Sequence, residues 1–341
     1  MLIRSKAPLR IGFAGGGTDV SPFSDLYGGN ILNATVNMYA HATIEPADDG
    51  MVTIEDTGIN ERLQLKSAKQ PETNGGKLEL LKGVYNRILR DYVKEPLSLK
   101  LTVHVDVPPG SGLGSSSTLV VATLAAFAEW LNLPFGEYNI AHLAYEIERK
   151  DLKMVGGKQD QYAAAFGGFN FMEFYGNDKV IVNPLRIKRR YVSELESSIL
   201  LYHTGTSRLS HTIIEEEIAN VTGEKEKPLD AMRKLKEEAI LMKEALLKGE
   251  LYKIGEILNY GWEHKKMAAG GISNKTIDDI YDAALKAGAT GGKISGAGGG
   301  GYMIFYCPGT SGYSVKHALA KFGGRFERFN FVEEGVISWK A

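Results

Sequence analysis

The sequence predicts an α+β protein of two domains, and three observations carry this. Strand-like and helix-like segments follow one another without the regular period of a doubly wound βαβ sheet. The chain has 341 residues, enough for two domains of ordinary size. Its composition changes near residue 190, which divides it into residues 1–193 and 194–341.

The elements follow in order. Residues 1–60 alternate as strands do, with turns at "AGGGTD", "YGGN" and "ADDG". "NGGKLELLKGVYNRILRDYV" has helical spacing. A strand at 97–107 leads into a glycine loop and a helix over about 116–131. "GEYNIAHLAYEIERKDL" is a further helix, with apolar residues at Ile140, Leu143, Ala144 and Ile147. "DQYAAAFGG" is a helix closed by glycine, and "FNFMEFY" with "KVIVNPL" forms a hairpin. Beyond the boundary, "ESSILLYHTG" holds a strand and "VTGEKEKP" a polar connector. "LDAMRKLKEEAILMKEALLKG" is a long amphipathic helix with a solvated, mixed-charge face. A helix at "NKTIDDIYDAALKAG" then precedes the strand "GYMIFYCP".

Bulk properties narrow the function. Formal net charge is −1, so composition points to neither nucleic acid nor a membrane surface. The single cysteine, Cys307, excludes an internal disulfide and fits a reducing, cytoplasmic setting; it sits in an apolar run as a core thiol. The N-terminus lacks the apolar stretch of a signal peptide. The uncharged run from Val107 to Ala128 begins with Pro, Gly and Ser, leaving too short a helix to span a bilayer. None of the seven histidines has metal-ligand spacing.

Three glycine clusters carry the chemistry. In "VPPGSGLGSSSTLVV", Gly110, Gly112 and Gly114 with Ser115, Ser116 and Ser117 crowd one helix entrance. Bare backbone N–H groups at the positive end of a helix form an anion site, and nearby hydroxyls can reach a Mg²⁺. The P-loop pattern and its lysine are absent. "SGAGGGGYMIF" has four consecutive glycines at 298–301, which allow close approach of backbone to a ligand or another loop. "FAGGGTD" ends in Asp19, a carboxylate suited either to sugar hydroxyls or to capping. "KQDQY" places Asp160 either as a base for a hydroxyl proton or as a helix cap. Glu146 and Glu148 lie on the preceding helix and do not share a face, so at most one points at the loop.

"SKAPLRIGFAGGGTD", "PPGSGLGSSST" and "KISGAGGGGYMIF" together resemble the three motifs of the GHMP kinases, in order and across nearly the whole chain. The resemblance implies an N-terminal domain like domain 2 of ribosomal protein S5 and a ferredoxin-like C-terminal domain, with ATP and Mg²⁺ at the cleft between them. It implies that the loop of Pro109, Gly110, Ser111, Gly112, Leu113, Gly114, Ser115, Ser116 and Ser117 wraps the ATP phosphates. Ser116 and Glu148 are the implied metal ligands, although the spacing from Glu148 to Asp160 is about one residue longer than in mevalonate kinase. Asp160 is the implied group facing the accepting hydroxyl, and Arg10 the cation beside it that stabilises developing negative charge.

Asp19, with Gly17 and Thr18, matches the family's sugar-binding turn, and Gly298 and Gly299 are expected to approach the substrate. The galactokinase "GEHTD" is here "GGGTD", which argues against galactose. Stretches such as "YHTGTSR" and "GGGTDVSPFSDLYGGNILNATVNMYA" resemble the branch of the family that acts on a sugar phosphate. The implied reaction places the ATP γ-phosphate on the anomeric hydroxyl of D-glycero-D-manno-heptose 7-phosphate. A kinase for an unphosphorylated sugar of fucose or mannose type, and a silent ATP- and sugar-binding regulator, are the alternatives. Arg208 is the first candidate to grip the substrate phosphate, with Lys265, Lys266 and Lys293 behind it. A monomer or homodimer is expected.

Overall fold

The structure is a computed structural model that describes residues 1–68, 70–206 and 210–341. Arg208 therefore lies outside the described residues. Among the described residues no helix is long and apolar enough to cross a membrane.

The chain opens with β1 (Ile3–Ala14), the short α1 (Phe23–Tyr27) and the long β2 (Gly29–Pro46). β3 (Met51–Asp56) and β4 (Glu61–Lys66) form a hairpin. α2 (Glu79–Ile88), β5 (Leu99–Val105), α3 (Ser115–Leu131) and α4 (Glu137–Glu146) follow. α5 (Gln159–Phe166) precedes the hairpin of β6 (Phe169–Phe174) and β7 (Val180–Pro184). These strands build one sheet of order β12-β1-β2-β5-β3-β4, with β6 and β7 extending from β2. Among the described residues only β3 and β5 pair in parallel within it.

α3 explains its own composition. It packs on β1 and β2 on one side and on α2, α4 and α5 on the other. A helix covered all round has no solvated face to fill with charge, so the run from Ser117 to Ala128 is buried throughout. α4 continues into a π-helical turn, Ile147–Asp151. Such a turn accommodates one extra residue. It buries both Ile147 and Glu148, and it sits in the stretch whose spacing to Asp160 is one residue long.

The second half begins with α6 (Arg189–Ser198), which contains the expected boundary, and β8 (Ile199–His203). α7 (Ser210–Thr222), α8 (Glu226–Lys248), α9 (Ile254–Ala268) and α10 (Lys275–Lys286) come next. β9 (Gly291–Ile294), β10 (Tyr302–Tyr306), α11 (Ser311–Leu319) and β11 (Arg325–Glu327) lead to β12 (Ile337–Lys340). The second sheet is antiparallel, of order β11-β8-β10-β9. α10 shows the helical pattern plainly: Ile277, Ile280, Tyr281 and Ala284 are buried, and the Asn274 side chain caps it by accepting from Ile277 N at 3.1 Å.

The two sheets share a core. Leu9, Ile11 and Leu32 of the first lie in one apolar cluster with Leu201 and Ile304 of the second, and with Leu246 and Ile254. The last strand does not stay with the second sheet. Phe331 bridges to Val36, and β12 pairs with β1 at the edge of the first sheet. The strands up to β7 thus belong to the first sheet and β8 to β11 to the second, while the final segment returns to the first.

Candidate active site

A cavity of about 600 Å³ opens where the three glycine clusters meet, a size typical of small-molecule sites. Arg10 on β1 is its keystone. Its Nε donates to Asp160 Oδ1 at 2.8 Å, and Nη2 lies 2.7 Å from the same oxygen. Nη1 donates to Gly112 O at 2.6 Å and reaches Ser295 Oγ at 3.3 Å. One buried guanidinium therefore joins the strand, the glycine loop, the helix bearing Asp160 and the cluster that begins at Ser295.

The glycine loop runs close to its neighbours. Gly114 sits before α3 with φ +80°, a left-handed conformation suited to glycine, and a Cβ there would lie 3.0 Å from Asp160 Cγ. A Cβ on Gly296 would lie 2.9 Å from Gly112 Cα, so the cluster before α3 and the one before β10 touch backbone to backbone. Gly110, Gly112, Gly114, Ser115, Ser116 and Ser117 all line the cavity.

Asp160 is the second residue of α5, and Asp19 fixes the start of that helix. Asp19 Oδ2 accepts from Lys158 N at 2.9 Å and Gln159 N at 3.0 Å, and Oδ1 from Gln159 Nε2 at 3.3 Å. A cap normally comes from the preceding residue; here it comes from 140 positions away. Burial pushes the Asp19 carboxyl above its ordinary value, against the lowering effect of these hydrogen bonds.

Glu148, Ser117 and Gln161 form a second polar group. Ser117 Oγ lies 2.9 Å from both carboxylate oxygens of Glu148, and Gln161 Nε2 donates to Glu148 and to Ser117 Oγ, the latter at 3.2 Å. Burial raises the Glu148 carboxyl, with Arg149 opposing. Ser116 is one position earlier on α3, about 100° around the helix, and is exposed to the cavity. Glu148 lines the cavity, whereas Glu146 is turned away onto Arg87 and Lys150.

Several expected contacts are corrected. Thr18 is fully buried and away from the cavity; its hydroxyl bonds Gly15 O, Asn30 O and Asn30 N, which closes the turn. Ser111 and Leu113 face the core, where the Ser111 carbonyl accepts from Tyr302 N and that of Leu113 from Arg10 N. Pro109 does not line the cavity, and Gly299 spends its N–H on Ile272 O at 2.8 Å, leaving Gly17, Asp19 and Gly298 as lining residues. Lys266 is paired with Glu263 outside, while Lys265 and Lys293 point in.

Two residues escaped sequence reasoning: Glu217 and Glu238, both buried. Glu217 lies in "IIEEEIAN", which reads as a solvated stretch. The signal was its spacing, since Ile213, Glu217 and Asn220 share one helical face and are all buried.

The described geometry gathers a glycine- and serine-rich loop at a helix start, a paired carboxylate and hard oxygen donors in one cleft. The chain belongs to the GHMP kinase family: the model of the GHMP kinases N terminal domain matches residues 79–168, and that of the GHMP kinases C terminal matches residues 242–325. It is a kinase that transfers phosphate to a hydroxyl, with the mixed α and β fold of that family. Over 99% of its length, and 99% of the relative's, it is 50% identical to D-glycero-alpha-D-manno-heptose 7-phosphate kinase of Campylobacter jejuni. A solved structure from Bacteriodes thetaiotaomicron, described as a D-glycero-D-manno-heptose 1-phosphate kinase, is 49% identical over 99% of both chains with a TM-score of 0.83. Lactococcus lactis galactokinase shares the fold alone, at 17% identity and a TM-score of 0.80, covering 98% of this chain and 95% of that one.

Proposed function

We propose that the chain transfers the γ-phosphate of ATP to the anomeric hydroxyl of D-glycero-D-manno-heptose 7-phosphate, giving the 1,7-bisphosphate. The observation that carries this reading is the Arg10–Asp160 pair directly beneath the glycine loop. As the new O–P bond forms and the bond to ADP breaks, the hydroxyl proton passes to the Asp160 carboxylate. Phosphoryl transfer is often loose, so proton removal comes late and the carboxylate first orients the hydroxyl. Arg10 holds Asp160 in that position and offsets charge developing at the transferred group. The loop N–H groups and the start of α3 bind the phosphates.

The donors present suit Mg²⁺, which takes one or two carboxylates together with substrate phosphates and water. Glu148, the hydroxyls of Ser116 and Ser117, and the buried, unpartnered Gln161 Oε1 are all hard oxygens. A Mg²⁺ bound there would neutralise charge on the β- and γ-phosphates. Ser117, rather than Ser116, holds the Glu148 carboxylate, so Ser116 is free to meet the nucleotide.

The names of the two relatives differ in which phosphate the acceptor already carries, but both are heptose phosphate kinases. That agreement favours a phosphorylated heptose over free fucose or mannose. Retention of Arg10, Asp160 and Glu148 in one cleft argues against a silent regulator. Asp160→Asn is expected to lower kcat by roughly 10²–10⁴-fold while nucleotide affinity is kept. Turnover near that of the unmodified protein would contradict the role given to Asp160.

A further inference from the structure

Two ion pairs lie where the second half of the chain meets the turn at residues 15–17. Lys265 on α9 pairs with Glu217 on α7, and Lys293 on β9 lies 3.8 Å from Glu238 on α8. All four side chains are buried. The Glu238 pair supports backbone: Glu238 accepts from Gly15 N at 2.9 Å, and Lys293 donates to Phe13 O at 3.3 Å.

The Glu217–Lys265 pair is placed differently. A side chain at Gly17 would come within 2.9 Å of Lys265 Nζ and 3.1 Å of Glu217 Oε2. The pair therefore faces bare backbone and lines the cavity next to Asp19. Among the described residues, the hydrogen bond between Lys265 and Glu217 is the one each side chain makes. An ammonium has three donors and a carboxylate about four acceptor sites, so most of this capacity is uncommitted. Lys158 offers a contrast. It is equally buried but reaches Asp25, Asp178 and Ser24 away from the cavity, as a structural charge does.

Buried pairs add little net stability. One that faces a cavity with spare donors and acceptors is arranged to meet a polar ligand. Charge indicates which kind. Glu217 and Lys265 set an anion and a cation side by side, Lys293 is balanced by Glu238, and Arg10 and Arg149 line the same cavity as Asp19. Sugar hydroxyls can both donate to Glu217 and accept from Lys265, so the pair can meet a polar, uncharged group from both sides.

We infer that Glu217 and Lys265 read two neighbouring hydroxyls of the acceptor sugar and so select the stereoisomer held with its reacting hydroxyl at Asp160. This rests on the sugar-kinase reading above.

The test combines variants with substrate analogues. Glu217→Gln and the doubly neutral Glu217→Met/Lys265→Met are compared with the unmodified protein on D-glycero-D-manno-heptose 7-phosphate and its single-deoxy analogues. The second variant leaves no buried charge unpaired, which protects the comparison from misfolding. Each variant is expected to raise the acceptor KM by about 10- to 100-fold, the range for hydrogen bonds to a charged group, with KM for ATP unchanged. The analogue lacking the hydroxyl read by Glu217 should already bind weakly to the unmodified protein and lose little more in Glu217→Gln. Equal loss for every analogue would make the pair merely structural and overturn the inference. If the unmodified protein leaves heptose 7-phosphate untouched, the acceptor assignment fails instead, and the same variants are compared on deoxy analogues of the sugar it does phosphorylate.

Discussion

Asp19 shows how one carboxylate can serve the site through a helix end. Its burial raises its pKa in the folded state above the unfolded value of 3.8. The folded protein then holds a proton that the unfolded chain has lost, so this contribution to stability is full below that value and is lost as pH rises through the folded one. Asp19→Asn keeps an oxygen for Lys158 N and Gln159 N without the buried charge. Thermal unfolding between pH 4 and 7 should show a smaller loss of stability with rising pH for Asp19→Asn than for the unmodified protein. Asp19→Ala removes the cap and should cost about 0.5–2 kcal/mol. Equal destabilisation by Asn and Ala at neutral pH would contradict the capping role. At this scale Asp160 and Asp19 stood out as carboxylates near glycine turns, each open to a capping role, and the family resemblance alone pointed to Arg10. It did not reveal that Thr18 faces inward or that Glu217 does, since a hydroxyl or a glutamate looks alike on either face of a turn or helix.

Among the elements, the loop before α3 couples most closely to the chemistry. Gly114 has positive φ and lies against Asp160. In Gly114→Ala the left-handed backbone costs about 1–2 kcal/mol, and the new methyl pushes on the Asp160 carboxylate. We expect both a lower Tm and a kcat reduced by about tenfold or more, since a small misplacement of reacting groups is costly. A Gly114→Ala protein with full kcat would show that the loop and α5 are not in register as described. Amphipathic elements such as α10 were legible from spacing alone. The π turn at Ile147–Asp151 was visible only as one surplus residue, because its periodicity differs from an α-helix over a single turn.

Across the whole molecule, the cleft exists because two sheets share a core and one guanidinium ties three distant motifs together. The order of the motifs made that convergence legible. The return of β12 to the edge beside β1 was not, because pairing between strands so far apart in the chain leaves no local pattern. The buried carboxylates contributed by α7 and α8, Glu217 and Glu238, were hidden for the same reason: each is an ordinary polar residue until the second half closes on the turn at residues 15–17. The central claim is phosphoryl transfer to an anomeric hydroxyl, and phosphorus NMR of the reaction with Mg-ATP and D-glycero-D-manno-heptose 7-phosphate tests it most directly. The account predicts a new anomeric phosphate signal alongside the retained 7-phosphate, with ADP formed in equal amount. A product phosphorylated at any other hydroxyl, or free heptose used with equal kcat/KM, would contradict it.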